Sequence, residues 1–454
     1  MVRRFRGLVP ADSLRRTSSD LKTALSGNLA RQGYFSAFDQ AGISLTNFLA
    51  ALLLARAATP TEFGVYAVGF LLLHLVRAVQ EGIIIQPVAA LGASLTDDEF
   101  QGFASGAAAL QLALAGVSAA GAALVGWGLT ATGNTTAGPM VSALWLPLLF
   151  WQLQEFVRRA FYVRRSVPSA VLNTAVTSIV RVAALALALA AGEATGRVGL
   201  AAIGWGAAAG LVLGVAQTRA VWRPRRARPL QVWRQSWGFG RWALGGAVTN
   251  WVAVEVYPIL TAGMVSFAAA GAYRALQNVV APIHALLRAM DTYFTPRVAE
   301  RFQVAGVKGV RHLLRRMYLI SGVPILAFLA AAALLARPAM RLFYGETYLA
   351  FAPGMLWMTV FYALWFAYWP LQSALKAIRW TRPVFKANLL AILAMATAGV
   401  WAIARWGVYG TIAGQALNAA IVAAVLWTAW RGSSIETEGP RSLEPAGVER
   451  PSTN

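Results

Sequence analysis

The chain has 454 residues, enough for two or three soluble domains, but 58% of them are apolar and only 13% charged, about half the charged share of a soluble chain. A bilayer crossing takes about 20 apolar residues, so the composition excludes an ordinary soluble protein and predicts a polytopic membrane protein. The net charge of +22 sits in short segments between apolar runs, where it orients membrane spans rather than building a nucleic-acid face.

Residues 1–34 form a basic segment expected in the cytoplasm. Leu21, Leu25 and Leu29 beside Lys22 and Arg31 fit either a short helix on the inner membrane surface or a disordered basic tail. No apolar core follows the basic start at the distance a cleavable signal requires. Apolar windows at 35–56, 64–91, 103–130, 139–163, 168–192 and 198–218 then make six spans of an N-terminal lobe, 35–218. Residues 219–241, with Trp222, Trp233 and Trp237 among arginines, read as an interfacial cytoplasmic linker. Windows at 242–266, 271–296, 313–337, 351–375, 383–404 and 408–430 make a C-terminal lobe, 242–430. The tail 431–454 is rich in Pro, Gly, Ser and Glu and is expected to be disordered.

The charge distribution tests this count. With the N-terminus inside, 31 of the 40 lysines and arginines fall in predicted inner segments and 4 in outer loops. One missed helix would invert every later loop. The expected location is the bacterial inner membrane, multi-pass, with both termini cytoplasmic.

The two lobes repeat one another. Gly64-Val65-Tyr66-Ala67 opens the second span and Gly271-Ala272-Tyr273-Arg274 the eighth. Pro168 with Asn173 follows the fourth span, and Pro383 with Asn388 the tenth. Six spans per lobe is an even number, so both lobes insert with the same polarity, related by an axis along the membrane normal. The expected fold is therefore all-α, with about twelve transmembrane helices in two pseudo-symmetric six-helix lobes around a central cleft. Gly206, Gly210 and Gly214 form a small-residue stripe that predicts close packing within the first lobe.

Charges inside spans cost about 2.5–3.5 kcal/mol each on insertion scales and normally pair or face a cavity. Arg77 and Glu81 stand four apart in the second span. His284 and Arg288 stand four apart in the eighth, with Asp291 three further on. They either lock each lobe internally or line the cleft. Arg77, Arg274, Arg288 and His284 are candidates for a phosphate or headgroup, since the guanidinium fork suits phosphate oxygens. Asp39, Glu81, Glu255 and Asp291 are candidate cation sites or counter-ions; for Asp39 a position at headgroup depth is equally open. Glu155 with Arg158 and Arg159 reads as a helix-end pair, and Arg181 as paired within its lobe. Trp365 and Trp369 in the aromatic tenth span either stack on sugar rings or serve as an interfacial belt and packing.

Asp39-Gln40 with Asn47, the stretch Thr59-Pro60-Thr61-Glu62-Phe63-Gly64-Val65-Tyr66-Ala67 and the twelve-span repeat resemble the polysaccharide and O-antigen flippases of the multidrug/oligosaccharidyl-lipid/polysaccharide exporter superfamily, over about residues 30–430. The resemblance implies translocation of a lipid-linked oligosaccharide, carried on a polyprenyl pyrophosphate, from the inner to the outer leaflet by alternating access. It also implies cleft arginines that hold the pyrophosphate, placed by position on Arg77, Arg274 and Arg288. A cation-coupled multidrug exporter of the same fold is the alternative within transporters, and a membrane scaffold or enzyme of polysaccharide assembly the alternative from another class. A peptidoglycan-precursor flippase is expected to have two more spans. No catalytic residue is assigned: the outer loops are short, and the acidic cluster Asp97-Asp98-Glu99 reads as a solvated loop. No cysteine is present and His74, His284 and His312 are scattered, so no metal or cofactor is expected. The expected partners are the lipid-linked oligosaccharide, membrane lipids and polysaccharide polymerase or assembly proteins, with no nucleic acid.

Overall fold

The computed structural model describes residues 28–92, 95–164, 166–219, 228–378 and 380–432. The proposed surface helix near Leu21, Leu25 and Leu29, the linker arginines Arg223, Arg225 and Arg226 and the tail from 433 lie outside these residues. Among the described residues the chain is helical throughout, with no strand. In hydrocarbon no water satisfies backbone N–H and C=O groups, so a spanning segment must bond to itself, as a helix does.

The helices are α1 Asn28–Ala57, α2 Pro60–Gln80, α3 Gln86–Gly92, α4 Asp97–Ala131, α5 Ala137–Ala143, α6 Trp145–Val163, α7 Val167–Ala190, α8 Gly196–Arg219, α9 Pro229–Met264, α10 Phe267–Val279, α11 Pro282–Leu334, α12 Ala336–Tyr344, α13 Gly354–Ala377, α14 Arg382–Ala394, α15 Val400–Trp406 and α16 Val408–Arg431. A π-turn at Glu81–Ile85 joins α2 to α3, and another at Met395–Gly399 joins α14 to α15.

Ten helical segments among the described residues are long and apolar enough to cross a membrane. The other two expected spans are helical but fail that measure for identifiable reasons. Residues 351–375 become α13, whose Trp357, Tyr362, Trp365, Tyr368 and Trp369 carry polar atoms that lower its hydropathy. The window 271–296 is split: α10 ends at Val279 and Pro282 opens α11. Pro is accepted there because the first helical turn has no intrahelical use for its N–H.

Two segments between the expected spans are helical. The segment 297–316 continues α11, which bends at Gly306, where φ is 58°; glycine adopts this left-handed conformation without a Cβ clash. Asp97, Asp98 and Glu99 are the first turn of α4 rather than a solvated loop. Thr96 and Glu99 form a reciprocal capping box, and negative charge at a helix N-terminus is favourable. Asp97 also pairs with Arg164. Of the linker, residues 229–241 belong to α9, with the Trp233 and Trp237 rings stacked 4.8 Å apart.

Two compact units emerge from the packing. The first comprises residues 1–51, 76–193 and 198–244, and the second 52–75, 194–197 and 245–454. The first unit is closed by an apolar cluster of Ile84, Ile85, Phe103, Phe156, Phe161 and Val232. Beside it runs a network of buried amides. Gln80 donates to Gln111 Oε1 (3.0 Å) and to the Gln152 carbonyl (2.8 Å), Gln152 donates to Ser118 Oγ (2.6 Å), and Gln154 donates to Asn173 Oδ1 (2.6 Å). The glycine stripe packs as expected: a Cβ on Gly206 would lie 2.5 Å from the Thr177 carbonyl, and one on Gly210 would lie 2.0 Å from Thr177 Oγ1.

In the second unit, α16 packs along α13, α14 and α15. Tyr257 is fully buried and donates to the Gly414 carbonyl at 2.9 Å. A Cβ at Gly414 would lie 2.4 Å from the Tyr257 ring, so only glycine leaves room for it. The repeat-related glycines meet here as well. A Cβ on Gly64 would lie 1.7 Å from the Phe267 carbonyl oxygen, and one on Gly271 would lie 2.7 Å from that of Pro60. The ends of α2 and α10 therefore touch backbone to backbone.

Candidate functional site

The first unit gathers six charges from three helices. Arg158 on α6 is buried and donates Nη1 to Asp39 Oδ2 on α1 at 2.6 Å. Its Nε and Nη2 grip both oxygens of Glu155, at 2.9 and 2.8 Å. Such bidentate charge-assisted bonds are the strong ones. Arg159 Nε adds a bond to Glu155 Oε1 at 2.9 Å, and its Nη2 lies 3.9 Å from Glu81. Tyr162 donates its hydroxyl to Asp39 Oδ2 at 2.7 Å. Helical spacing of three and four residues puts Glu155, Arg158, Arg159 and Tyr162 on one side of α6.

Arg77 completes the cluster without joining a pair. Its guanidinium is half-buried and lies 5.8 Å from the centre of the Trp151 ring, within cation–π range. No carboxylate stands within 4 Å of it among the described residues. The expected pair of Arg77 with Glu81 does not form. Glu81 opens the π-turn, whose wider turn departs from the α register on which a four-residue pairing rests. The signs balance at three each, yet the carboxylates are committed to Arg158 and Arg159. Nearby, Arg181 donates to Asn47 Oδ1 at 2.7 Å, a pairing within the unit.

Arg274 sits in the second unit, on α10. It donates Nη1 to Gln277 Oε1 at 2.6 Å and lies 5.4 Å from the Phe70 ring centre. Its Nε is buried without a hydrogen-bond partner, as are Asn278 Nδ2 and the hydroxyls of Tyr344 and Tyr348. Tyr344 and Tyr348 lie edge to face, 5.6 Å apart. Burial pushes the Tyr344 hydroxyl up to about 12, against the opposing pull of Asn278 and Arg274. Each unmade bond of this kind costs roughly 1–3 kcal/mol.

His284 on α11 meets the Tyr362 hydroxyl through Nε2 at 2.6 Å and lies 4.8 Å from the Trp365 ring. Together with Glu255, Trp365, Trp369 and Asn388 it lines a cavity of about 190 Å³ inside the second unit. Trp365 and Trp369 are perpendicular, 5.3 Å apart. The structure thus brings Asp39, Glu81 and Arg77 into one cluster, and Glu255, His284, Trp365 and Trp369 around one cavity, with Arg274 in a third setting. The side chains of Arg288 and Asp291 lie outside the described set.

Sequence reasoning undervalued Arg158, Arg159 and Glu155, which hold the ionic cluster rather than closing a helix end. Their spacing carried the signal. It missed Tyr162, Trp151 and the cavity amides, because a survey of ionisable groups passes over neutral polar side chains. Among the described residues no three His, Asp or Glu groups are placed to hold a metal ion.

The model of a family described as polysaccharide biosynthesis protein matches residues 53–353. Among solved structures, an inward-facing multidrug resistance MATE family transporter of the MOP superfamily is similar at a TM-score of 0.68 and 14% identity, covering 87% of this chain and 97% of that one. The lipid II flippase MurJ, in an inward closed conformation, follows at 0.66 and 12%, covering 89% and 88%. A MOP superfamily transporter from Pyrococcus furiosus matches at 0.62 and 13%, covering 88% and 94%. No curated protein sequence matches at a significant level.

These likenesses define the class: an all-α, multi-pass membrane protein with the fold of the MOP transporters and flippases. Within that fold class the chain belongs to the polysaccharide biosynthesis protein family.

Proposed function

We propose that this protein translocates a polyprenyl-(pyro)phosphate-linked oligosaccharide from the cytoplasmic to the outer leaflet of the bacterial inner membrane by alternating access, with both termini in the cytoplasm. The observation that carries the reading is Arg77. It is a half-buried guanidinium on a membrane helix, held over Trp151 beside an ionic cluster whose carboxylates are engaged elsewhere. A phosphate oxygen is a fitting partner for its unused fork. Arg274, with its unpartnered donors, is a second anion grip in this reading, and Arg288 a third.

The physics accords with the task. Each unpaired hydroxyl of a sugar headgroup costs a few kcal/mol in hydrocarbon, and a pyrophosphate charge costs more. A polar passage opened to one side at a time removes most of that barrier, while the lipid tail stays in the bilayer. An inside-negative potential favours outward movement of an anion by about 2.3 kcal/mol per charge per 100 mV. Translocation then needs no catalytic residue and no cofactor. Polymerase or assembly proteins would receive the product on the outer face.

The test is a deletion strain complemented with wild-type protein or Arg77→Ala. The reading expects lipid-linked oligosaccharide to accumulate on the cytoplasmic leaflet in the deletion strain, wild type to restore export, and Arg77→Ala to fail at equal expression. Unchanged leaflet distribution on deletion, with altered drug susceptibility, supports the second reading, a cation-coupled exporter. Its support is Glu255, a half-buried carboxylate on the cavity wall.

A further inference from the structure

We infer that the cavity inside the second unit is a binding site for a neutral pyranose ring. The inference deepens the translocation reading and rests on it for the origin of the sugar. The site itself stands on unsatisfied hydrogen bonds of both polarities.

Four polar groups on the cavity wall lack partners among the described residues. Gln372 is only 3% exposed, and Asn388 is half-buried; both line the cavity, and among the described residues neither amide has a hydrogen-bond partner. Trp369 Nε1 is a buried donor without an acceptor. Asn418 donates Nδ2 to the Ala253 carbonyl at 3.3 Å, which leaves its buried Oδ1 without a donor. Buried polar groups normally find partners, so this wall is arranged for something that enters.

The mixture of polarities selects the ligand. A metal cation would satisfy Asn418 Oδ1 and the amide oxygens but leave the indole N–H and amide N–H groups orphaned. A phosphate would satisfy those donors but face the Glu255 carboxylate and the orphan carbonyl oxygen. A hydroxyl both donates and accepts, and a sugar presents several on one rigid ring. The perpendicular Trp365 and Trp369 rings supply apolar faces for its C–H surface. The volume also fits: a protein cavity of about 150 Å³ admits a six-membered ring, and this one measures about 190 Å³. Gln415 already accepts from Tyr273 at Oε1 and donates to the Val254 carbonyl through Nε2, so it is held in place on the wall.

Saturation-transfer NMR on the full chain in detergent tests this, with glucose, galactose, mannose, N-acetylglucosamine and N-acetylgalactosamine as probes. At least one sugar should receive magnetisation from the wild type. Gln372→Leu and Asn388→Leu should each weaken that transfer tenfold or more, and Asn388→Gln, which restores an amide, should recover much of it. Each variant is compared at unchanged elution volume and Tm; if a leucine variant fails to fold, Gln372→Ala or Asn388→Ser takes its place with the same expectation. No transfer to any of the five sugars overturns the inference, as does transfer indifferent to the amide changes. Sugar binding in a protein whose deletion leaves the leaflet distribution untouched would count against translocation and leave the site standing.

Discussion

The two units share a repeat but fill the same place with different chemistry. At the offset of 215 set by Pro168 and Pro383, the turns of α6 that carry Gln154, Glu155, Arg158 and Arg159 correspond to Trp369, Pro370, Ser373 and Ala374 on α13. In the first unit those turns are ionic, and Arg158 and Arg159 pair with Asp39, Glu155 and Glu81. In the second they are uncharged, and Trp369 among them borders the cavity. Asn173 and Asn388 make the same point. The former is fully buried, accepts from Gln154 and donates to the Gly210 carbonyl at 2.6 Å; the latter stands on the cavity wall without a partner among the described residues.

The sharpest way to break this comparison is to remove Arg158. Arg158→Ala leaves the buried Asp39 with Tyr162 as its remaining partner and no cation, and strips Glu155 of its bidentate partner. Breaking a buried pair costs about 3–5 kcal/mol, so unfolding in detergent should shift by that amount. Stability unchanged within 1 kcal/mol would show that the first unit is not held by its ions. Next comes Gly64→Ala, whose new methyl would meet the Phe267 carbonyl oxygen. Overpacking of this kind costs about 1–3 kcal/mol, and a neutral result in thermal unfolding would refute the backbone contact of α2 and α10.

Arg77→Ala sharpens the contrast within one cluster. With no carboxylate to strand, its effect on stability should stay under about 1 kcal/mol, while translocation falls at least tenfold. Large effects of Arg158 on folding and of Arg77 on transport separate scaffold from site. Smallest is Ser266→Ala. Ser266 Oγ accepts from the Ala269 N–H at 3.1 Å to cap α10, and losing such a cap costs about 1 kcal/mol.

Much of the fold was legible because a bilayer enforces simple rules. Apolar run length placed the helices, and the arginine pattern kept their number consistent. The loop reading of Asp97, Asp98 and Glu99 failed because charge marks where a chain leaves hydrocarbon, not where a helix stops; Thr96 and Glu99 cap α4 there. The site was half legible. Asp39, Arg77 and Glu81 stood out as costly intramembrane charges, but which of them pair depends on where α1 places Asp39 against α6, and no spacing within one helix encodes that. The π-turn at Glu81 likewise has no signature that a four-residue spacing rule detects. Gln372, Asn388 and Asn418 are common residues whose meaning appears only when three helices set them around one space.

The most direct test is reconstitution. Protein in sealed vesicles is loaded with lipid-linked oligosaccharide extracted from the producing cell, and a membrane-impermeant sugar-oxidising reagent reads how much reaches the far leaflet. Wild type and Arg158→Lys should move it, and Arg77→Ala should fall at least tenfold while folding as well as wild type. Equal transport by Arg77→Ala and wild type would contradict the claim that this guanidinium grips the phosphate.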